Sequence, residues 1–238
     1  MDAVRTEISD GVLSIELNRP NKLNALDADL LEQFGDALSE IEKPSSAVGA
    51  VVLSGAGRSF CAGADRDALS RISTEAEIRR HVEGLRRVFL SLAEARVPVI
   101  TAVHGHALGA GCGLVTASTV VLAAEKTQFG YPEMASGILP ALVAPLLVKC
   151  VGHHRARALL LSSSRFSTNE AVAMGIITAS CPGNPRDAAA ALARRLASQR
   201  TNLVSALNQL LNDAGEHDLR AVLDRAAELN ISEKIRAL

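Results

Sequence analysis

Pro98-Val99-Ile100-Thr101-Ala102-Val103 runs into His104-Gly105-His106-Ala107-Leu108-Gly109-Ala110-Gly111-Cys112-Gly113 and then into Leu114. The first six residues are apolar and β-branched at most positions, which predicts a short strand buried on both faces. The ten that follow hold four glycines, and Leu114 opens a helical pattern. Small side chains at the end of a strand let a ligand approach the backbone closely. Unpaired N–H groups at a helix start favour negative charge.

Working outward, similar units recur. Val12–Leu17 alternates weakly as a strand, and Asn18-Arg19-Pro20-Asn21 ends it with turn chemistry. Asp27 is placed to cap a helix striped by Leu30, Leu31, Phe34, Leu38 and Ile41. Lys43-Pro44-Ser45-Ser46 stops it. Val48–Leu53 is a second buried strand, followed by a loop through Phe60-Cys61-Ala62-Gly63-Ala64-Asp65. Glu75 to Glu94 is a long helix with Ile78, Val82, Leu85, Phe89 and Leu92 on one face, and Thr119–Ala124 is another strand. Short connections between strands and helices predict parallel strands with crossover helices, an α/β fold. The last third carries three helical stripes, Ala188–Leu196, Leu203–Leu211 and Leu219–Leu229, after a linker at Pro182-Gly183-Asn184-Pro185. We therefore divide the chain into a β/α core over residues 1–181 and a helical region over 182–238. Three strong stripes need a surface to cover them, the core or another subunit, and their strength favours the subunit.

Composition excludes several classes. The 238 residues are 48% hydrophobic and 21% charged, a globular composition. Lys+Arg 25 against Asp+Glu 26 leaves a charge of −1, no global attraction for nucleic acid or an anionic membrane. Five Phe, one Tyr and no Trp give little surface for base stacking. The most apolar window, Ile138–Val148, holds two prolines and is too short to span a bilayer. The N-terminal stretch is polar and acidic, unlike a secretory signal. Cys61, Cys112, Cys150 and Cys181 form no CxxC pair and are expected to be reduced and mostly buried. The expected setting is cytoplasmic.

Familiar catalytic motifs are missing. There is no GxxxxGK[ST], GxSxG or HExxH, and the glycines at 105, 109, 111 and 113 miss GxGxxG spacing. No histidine pair has i, i+4 spacing, so no metal site is expected. Two loops remain, Phe60–Asp65 and His104–Gly113. Together they could aim two backbone N–H groups at one oxygen, an oxyanion hole in which each donor is worth about 2.7–4 kcal/mol. Each could equally be a tight turn that needs small residues.

Asn18-Arg19-Pro20 with Leu23-Asn24-Ala25-Leu26, Phe60–Asp65, Gly105–Gly113, and Phe129-Gly130-Tyr131-Pro132-Glu133 through Gly137 stand in order. In sequence and spacing they resemble the enoyl-CoA hydratase/isomerase (crotonase) family. The resemblance implies a crotonase-like (ClpP/crotonase) β-β-α superhelix with a helical C-terminal region that forms trimers, or dimers of trimers. It implies an acyl thioester of coenzyme A, or of an acyl carrier protein, with no cofactor beyond the substrate's own coenzyme. By position the oxyanion donors are the N–H groups of Ala64 and Ala110, and Glu133 is the acid/base. Lys22, Leu23, Ala62, Asp65 and Arg66 match the part that holds the coenzyme, with Asp65 also placed to cap a helix. His106, Gly109, Gly113 and Pro140 fall around the acyl group.

One departure shapes the expected reaction. Two-glutamate hydratases of this family carry their first glutamate where this chain has Gly113. A single carboxylate suffices to shuttle a proton from C4 to C2, so double-bond isomerisation stands ahead of hydration. Gly137-Ile138-Leu139-Pro140-Ala141 also resembles a branch of hydratases and dehydratases acting on branched or carboxylated thioesters, which keeps lyase chemistry as the alternative. A catalytically degenerate acyl-thioester-binding scaffold is the alternative of another class. The chain ends at Glu233-Lys234-Ile235-Arg236-Ala237-Leu238, which leaves Lys234 as a candidate contact to the coenzyme.

Overall fold

The computed structural model describes residues 2–43, 46–199, 201–214 and 225–227. The expected third helical stripe, Leu219–Leu229, and Lys234 lie largely or wholly outside them. The first half of the chain gives β1 (Val4–Ser9), β2 (Val12–Leu17), α1 (Ala28–Glu42), β3 (Ala50–Gly55), α2 (Arg66–Leu69) and α3 (Glu75–Ala93). The middle adds β4 (Val99–Val103), β5 (His106–Leu108), α4 (Ala110–Thr116), β6 (Val120–Ala124), β7 (Gln128–Gly130) and α5 (Val143–Ser162). Then come β8 (Arg165–Ser167), α6 (Thr168–Met174), β9 (Ala179–Cys181), α7 (Pro185–Ala197) and α8 (Thr201–Ala214).

A six-stranded sheet has the order β1-β2-β3-β4-β6-β9, and a small sheet has the order β5-β7-β8. From β2 to β9 the large sheet is parallel throughout. This is the expected α/β arrangement, with both faces covered. On one face Leu13, Ile15, Leu17, Val51 and Leu53 join the core under α1 and α3. On the other, Val12, Ala50, Val52, Ile100 and Ala102 meet Ala189 and Ala193 of α7.

The structure changes the sequence-based picture in four places. β1 pairs antiparallel with β2 at the sheet edge, with every residue but Val4 exposed. Its polar composition therefore hid the strand. The histidine–glycine run is not one loop, because His106–Leu108 form β5 against β7. The helix after it begins at Ala110, not Leu114. The first C-terminal stripe, α7, where the sequence favours a subunit contact, packs on the sheet of its own chain, because its alanines allow close approach.

Candidate active site

The site lies where β3 and β4 end. After β3 the chain passes through Phe60, Cys61 and Ala62 into a short parallel bridge between Leu26 and Ala64. Leu26 N–H donates to the Gly63 carbonyl at 2.8 Å, and Asp65 N–H donates to the Leu26 carbonyl at 2.9 Å. Residues 63 and 65 thus face Leu26. The peptide N–H of Ala64 then faces the opposite side, and it has no acceptor among the described residues. Asp65 fixes this turn: its Oδ1 accepts from Ala68 N–H at 3.1 Å and its Oδ2 pairs with Arg19 at 2.9 Å. Arg19 also pairs with Asp27, the cap of α1, at 2.9 Å. Burial opposes the Asp65 charge, but the Ala68 amide and the Arg19 guanidinium outweigh it and hold the carboxyl below its usual range.

The second loop lies directly against the first. Cys61 N–H donates to the His106 carbonyl and Leu108 N–H donates to the Cys61 carbonyl, each at 3.0 Å. A side chain at Gly111 would begin 2.5 Å from the Cys61 carbonyl oxygen, so this approach requires glycine. Gly63 has φ +93°, and a Cβ there would lie 3.4 Å from the Ala110 nitrogen. Ala110 is the first residue of α4, so its N–H has no intrahelical acceptor. Ala64 and Ala110 line the same cavity, of about 470 Å³.

Glu133 enters that cavity from the turn after β7. Its carbonyl accepts from Ser136 and Ile138 N–H groups, each at 2.9 Å, which fixes its backbone. Its carboxyl lies against the α-carbon of Gly109, where a Cβ would be 2.8 Å from Oε1. Gly109 has φ +52°, a second reason for glycine there. Oε2 of Glu133 is buried without a hydrogen-bond partner. Burial raises the carboxyl above its usual pKa. A carboxyl so placed can hold or release a proton beside two free amide donors.

The sequence-derived residues separate by location. Ala62, Ala64, Arg66, Gly109, Ala110, Glu133 and Pro140 line the cavity. Lys22 does not; its ammonium pairs with Asp67 at 2.7 Å on the surface. Leu23 acts through its backbone, accepting from Ala62 N–H at 3.0 Å. Asp65 is 5% exposed and both its oxygens are engaged, so in this structure it positions the Ala64 turn. His106 lies outside the cavity with Nδ1 3.1 Å from Ser59 Oγ, and His104 Nε2 meets the Gly57 carbonyl at 2.9 Å. Gly113 does not line the cavity. A Cβ there would meet the Phe89 ring tip at 2.5 Å and Val143 at 3.0 Å. The space that a carboxylate from this position would enter is filled by those two side chains.

Two contributors escaped the sequence reading. Phe89 was placed on the apolar face of its helix, but its contact with Gly113 joins residues 24 apart in sequence. His81, on α3, is 7% exposed and lines the cavity, and an isolated histidine in a helical stripe carries no motif. Cys61 and Cys112 are buried as expected, while Cys150 and Cys181 are half-buried. Burial pushes the Cys61 thiol up to about 12, far from nucleophilic use. Among the described residues no group of three His, Cys, Asp or Glu side chains could hold a metal ion. None of the described helices is long and apolar enough to cross a membrane.

Two facing backbone donors and one half-buried carboxyl stand together at the strand ends of a parallel sheet, an arrangement that can stabilise an oxyanion beside a proton-transfer group. The profile of the enoyl-CoA hydratase/isomerase family matches residues 7–235, and the chain belongs to that family. A peroxisomal Δ(3,5)-Δ(2,4)-dienoyl-CoA isomerase of Arabidopsis thaliana is 32% identical over 190 residues, 75% of this chain and 68% of that protein. A mitochondrial enoyl-CoA hydratase of Pongo abelii is 32% identical over 86% of this chain and 70% of its own. The crystal structure of an enoyl-CoA hydratase from Bacillus anthracis superposes with a TM-score of 0.89 at 28% identity, covering 95% of this chain and 88% of that one. The protein is thus a crotonase-fold enzyme of the hydratase/isomerase family, and its relatives include both isomerases and hydratases.

Proposed function

We propose that the enzyme moves the double bond of an enoyl-CoA thioester, using Glu133 alone as acid and base. The observation that carries this reading is the filled space at Gly113: Phe89 and Val143 occupy it, so one carboxylate serves the reacting carbons. With a 3-enoyl thioester, the Glu133 carboxylate takes a proton from C2. The electron pair moves through the conjugated system onto the thioester oxygen, giving a dienolate. Amide N–H groups of Ala64 and Ala110 stabilise that oxyanion, each donor contributing about 2.7–4 kcal/mol. Protonated Glu133 then returns the proton to C4, the double bond settles between C2 and C3, and the carboxylate is regenerated. No atom is gained or lost and no further cofactor is called on.

The rest of the cavity suits this role. Ile72, Leu85, Leu142 and Val143 form apolar walls that exclude water from the dienolate. Exposed Arg66 stands at the rim, where a coenzyme phosphate would meet it. Self-association into trimers, or dimers of trimers, belongs to the same proposal. Its support is the exposed leucine stripe of α8, Leu203, Leu207 and Leu211.

The test is a panel of 2-enoyl and 3-enoyl thioesters, with branched and carboxylated members, incubated with wild type and Glu133→Gln. Product mass and retention are read. A shifted peak of unchanged mass that disappears with the variant is the expected result. Gain or loss of one water would establish lyase chemistry instead, and full turnover by Glu133→Gln would remove Glu133 from the mechanism.

A further inference from the structure

The α3 wall of the cavity is apolar except at one place. Ile78, Val82, Leu85 and Phe89 line it, and His81 lies among them. The other polar lining side chains differ in setting: Arg66 and Ser136 are exposed at the rim, and Glu133 is the half-buried acid/base. His81 is more than nine-tenths buried, yet makes no hydrogen bond among the described residues. Its nitrogens are also not sealed off by protein, since the enclosed orphan atoms are Tyr131 Oη and Glu133 Oε2. Asp27 is the charged group that acts on it, and both Asp27 oxygens are already engaged, by Leu30 N–H at 2.9 Å and by Arg19 at 2.9 Å.

Because the imidazole nitrogens open onto the cavity, water can serve them when it is empty, and a ligand that displaces that water must replace its hydrogen bonds. Burial, set against the weaker pull of Asp27, keeps the ring neutral by lowering its pKa. A neutral imidazole offers one donor and one acceptor. That pair can serve a hydroxyl, which both donates and accepts, or a ketone oxygen, which accepts. Position also matters. Eight residues separate His81 from Phe89, about 12 Å along the helix axis. Phe89 meets Gly113 of the glycine-rich run, and His81 lies about two helical turns away on the same cavity wall. The imidazole is therefore placed to contact the acyl chain away from the carbons that exchange the proton.

We propose that His81 is a specificity residue that hydrogen-bonds a neutral oxygen, a hydroxyl or a ketone, carried on the acyl chain of the thioester. This rests on the reading of the cavity as the acyl-thioester site, and it adds the class of acyl group. A site built around such a hydrogen bond discriminates against the chain lacking it, because binding the plain chain leaves the imidazole buried and unpaired.

The test measures binding in the Glu133→Gln background, so no turnover is required. Saturated medium-chain CoA thioesters are compared with counterparts whose hydroxyl is walked outward along the chain, by titration calorimetry. At one hydroxyl position affinity should exceed that of the plain chain by about tenfold or more. Adding His81→Leu should remove that preference by weakening the hydroxylated ligand alone, and His81→Gln should retain part of it. Thermal melts check folding; if His81→Leu does not fold, His81→Phe provides the apolar comparison. The proposal is overturned if no hydroxyl position is preferred, or if the apolar variant weakens plain and hydroxylated ligands equally. A His81-dependent preference in a protein whose wild type isomerises nothing would uphold the recognition and sink the isomerase reading. Isomerisation without any such preference would do the reverse.

Discussion

Glu133 is held protonated to a higher pH than an ordinary glutamate because the cavity wall strips water from its carboxyl. As the base, it acts only when ionised. Turnover should therefore rise with pH through a pKa above the usual glutamate value of about 4.3. The same shift has a stability consequence of definite sign. Between the ordinary and the raised pKa, the folded chain keeps a proton that the unfolded chain has released. Stability then falls as pH rises through that window. Glu133→Gln removes the ionisable group. Its melting temperature should exceed that of wild type above the window, and the gap should close below about pH 4. Turnover should drop at least about 10²-fold. Melting curves across pH for both proteins check the first outcome; an equal gap at all pH values would show that the carboxyl is not held up by burial.

Gly109 is the neighbouring case. A methyl group there would start 2.8 Å from Glu133 Oε1, on a residue with φ +52°. Gly109→Ala should push the carboxyl from its place while leaving Ala62, Arg66 and the cavity walls intact. The expected signature is a kcat loss of about 10²-fold with KM changed far less. A variant that raised KM and spared kcat would mean that Gly109 serves binding and not the acid/base.

At the scale of elements, α3 and α4 share one volume. Phe89 projects from α3 to the Cα of Gly113 on α4, and both are buried. Gly113→Glu should therefore overpack the contact and bury a carboxyl, costing about 3 kcal/mol or more. For a chain of this size that is a fall of roughly 2–4 °C in Tm per kcal/mol. Gly113→Glu combined with Phe89→Ala should lose less than the sum of the two single losses, because the ring that blocks the new side chain is gone. Differential scanning calorimetry of the double variant and both single variants decides it. If Gly113→Glu alone melts like wild type, the volume at Gly113 is not closed.

This coupling marks where the sequence stops being legible. Strands and helices declare themselves through local periodicity, and α1 and α3 fall close to their expected spans. The glycine-rich loop and Glu133 declare themselves through motif order. The contact between Phe89 and Gly113, and the aim of His81 into the cavity, depend on how α3 lies across α4. No local pattern encodes that. The α3 stripe puts Ile78, Val82, Leu85, Phe89 and Leu92 on one face, yet Ile78 and Val82 are 54% and 44% exposed and border the open cavity. Hydrophobic periodicity does not distinguish a core from a binding pocket. The start of α4 was misplaced by four residues because glycine is a poor helix former. Here close approach of Gly111 to Cys61 and of Gly113 to Phe89 outweighs propensity.

For the molecule as a whole, the two described C-terminal helices behave differently. Residues of α7 close the open face of the large sheet with Ala189 and Ala193, both fully buried. The helical region thus begins with a layer of the core, and the outward-facing surface lies further on. On α8, Asn208 Nδ2 donates to the Ala95 carbonyl at 2.9 Å, which ties the helix to the body of the chain. Leu203, Leu207 and Leu211 remain 42%, 57% and 63% exposed along one i, i+4 row. Three leucines in a row on a surface are costly to leave in water and suit an isologous or cyclic contact between copies. Light scattering after gel filtration should give three or six times the chain mass of 25.0 kDa for wild type. Leu207→Glu with Leu211→Glu should reduce it toward one chain, since buried carboxylates facing one another repel and lose hydration. Far-UV circular dichroism should stay unchanged, because neither leucine contributes to the core of its own chain. A wild type that elutes as a single chain, with the double variant indistinguishable from it, would mean that α8 is not an assembly surface.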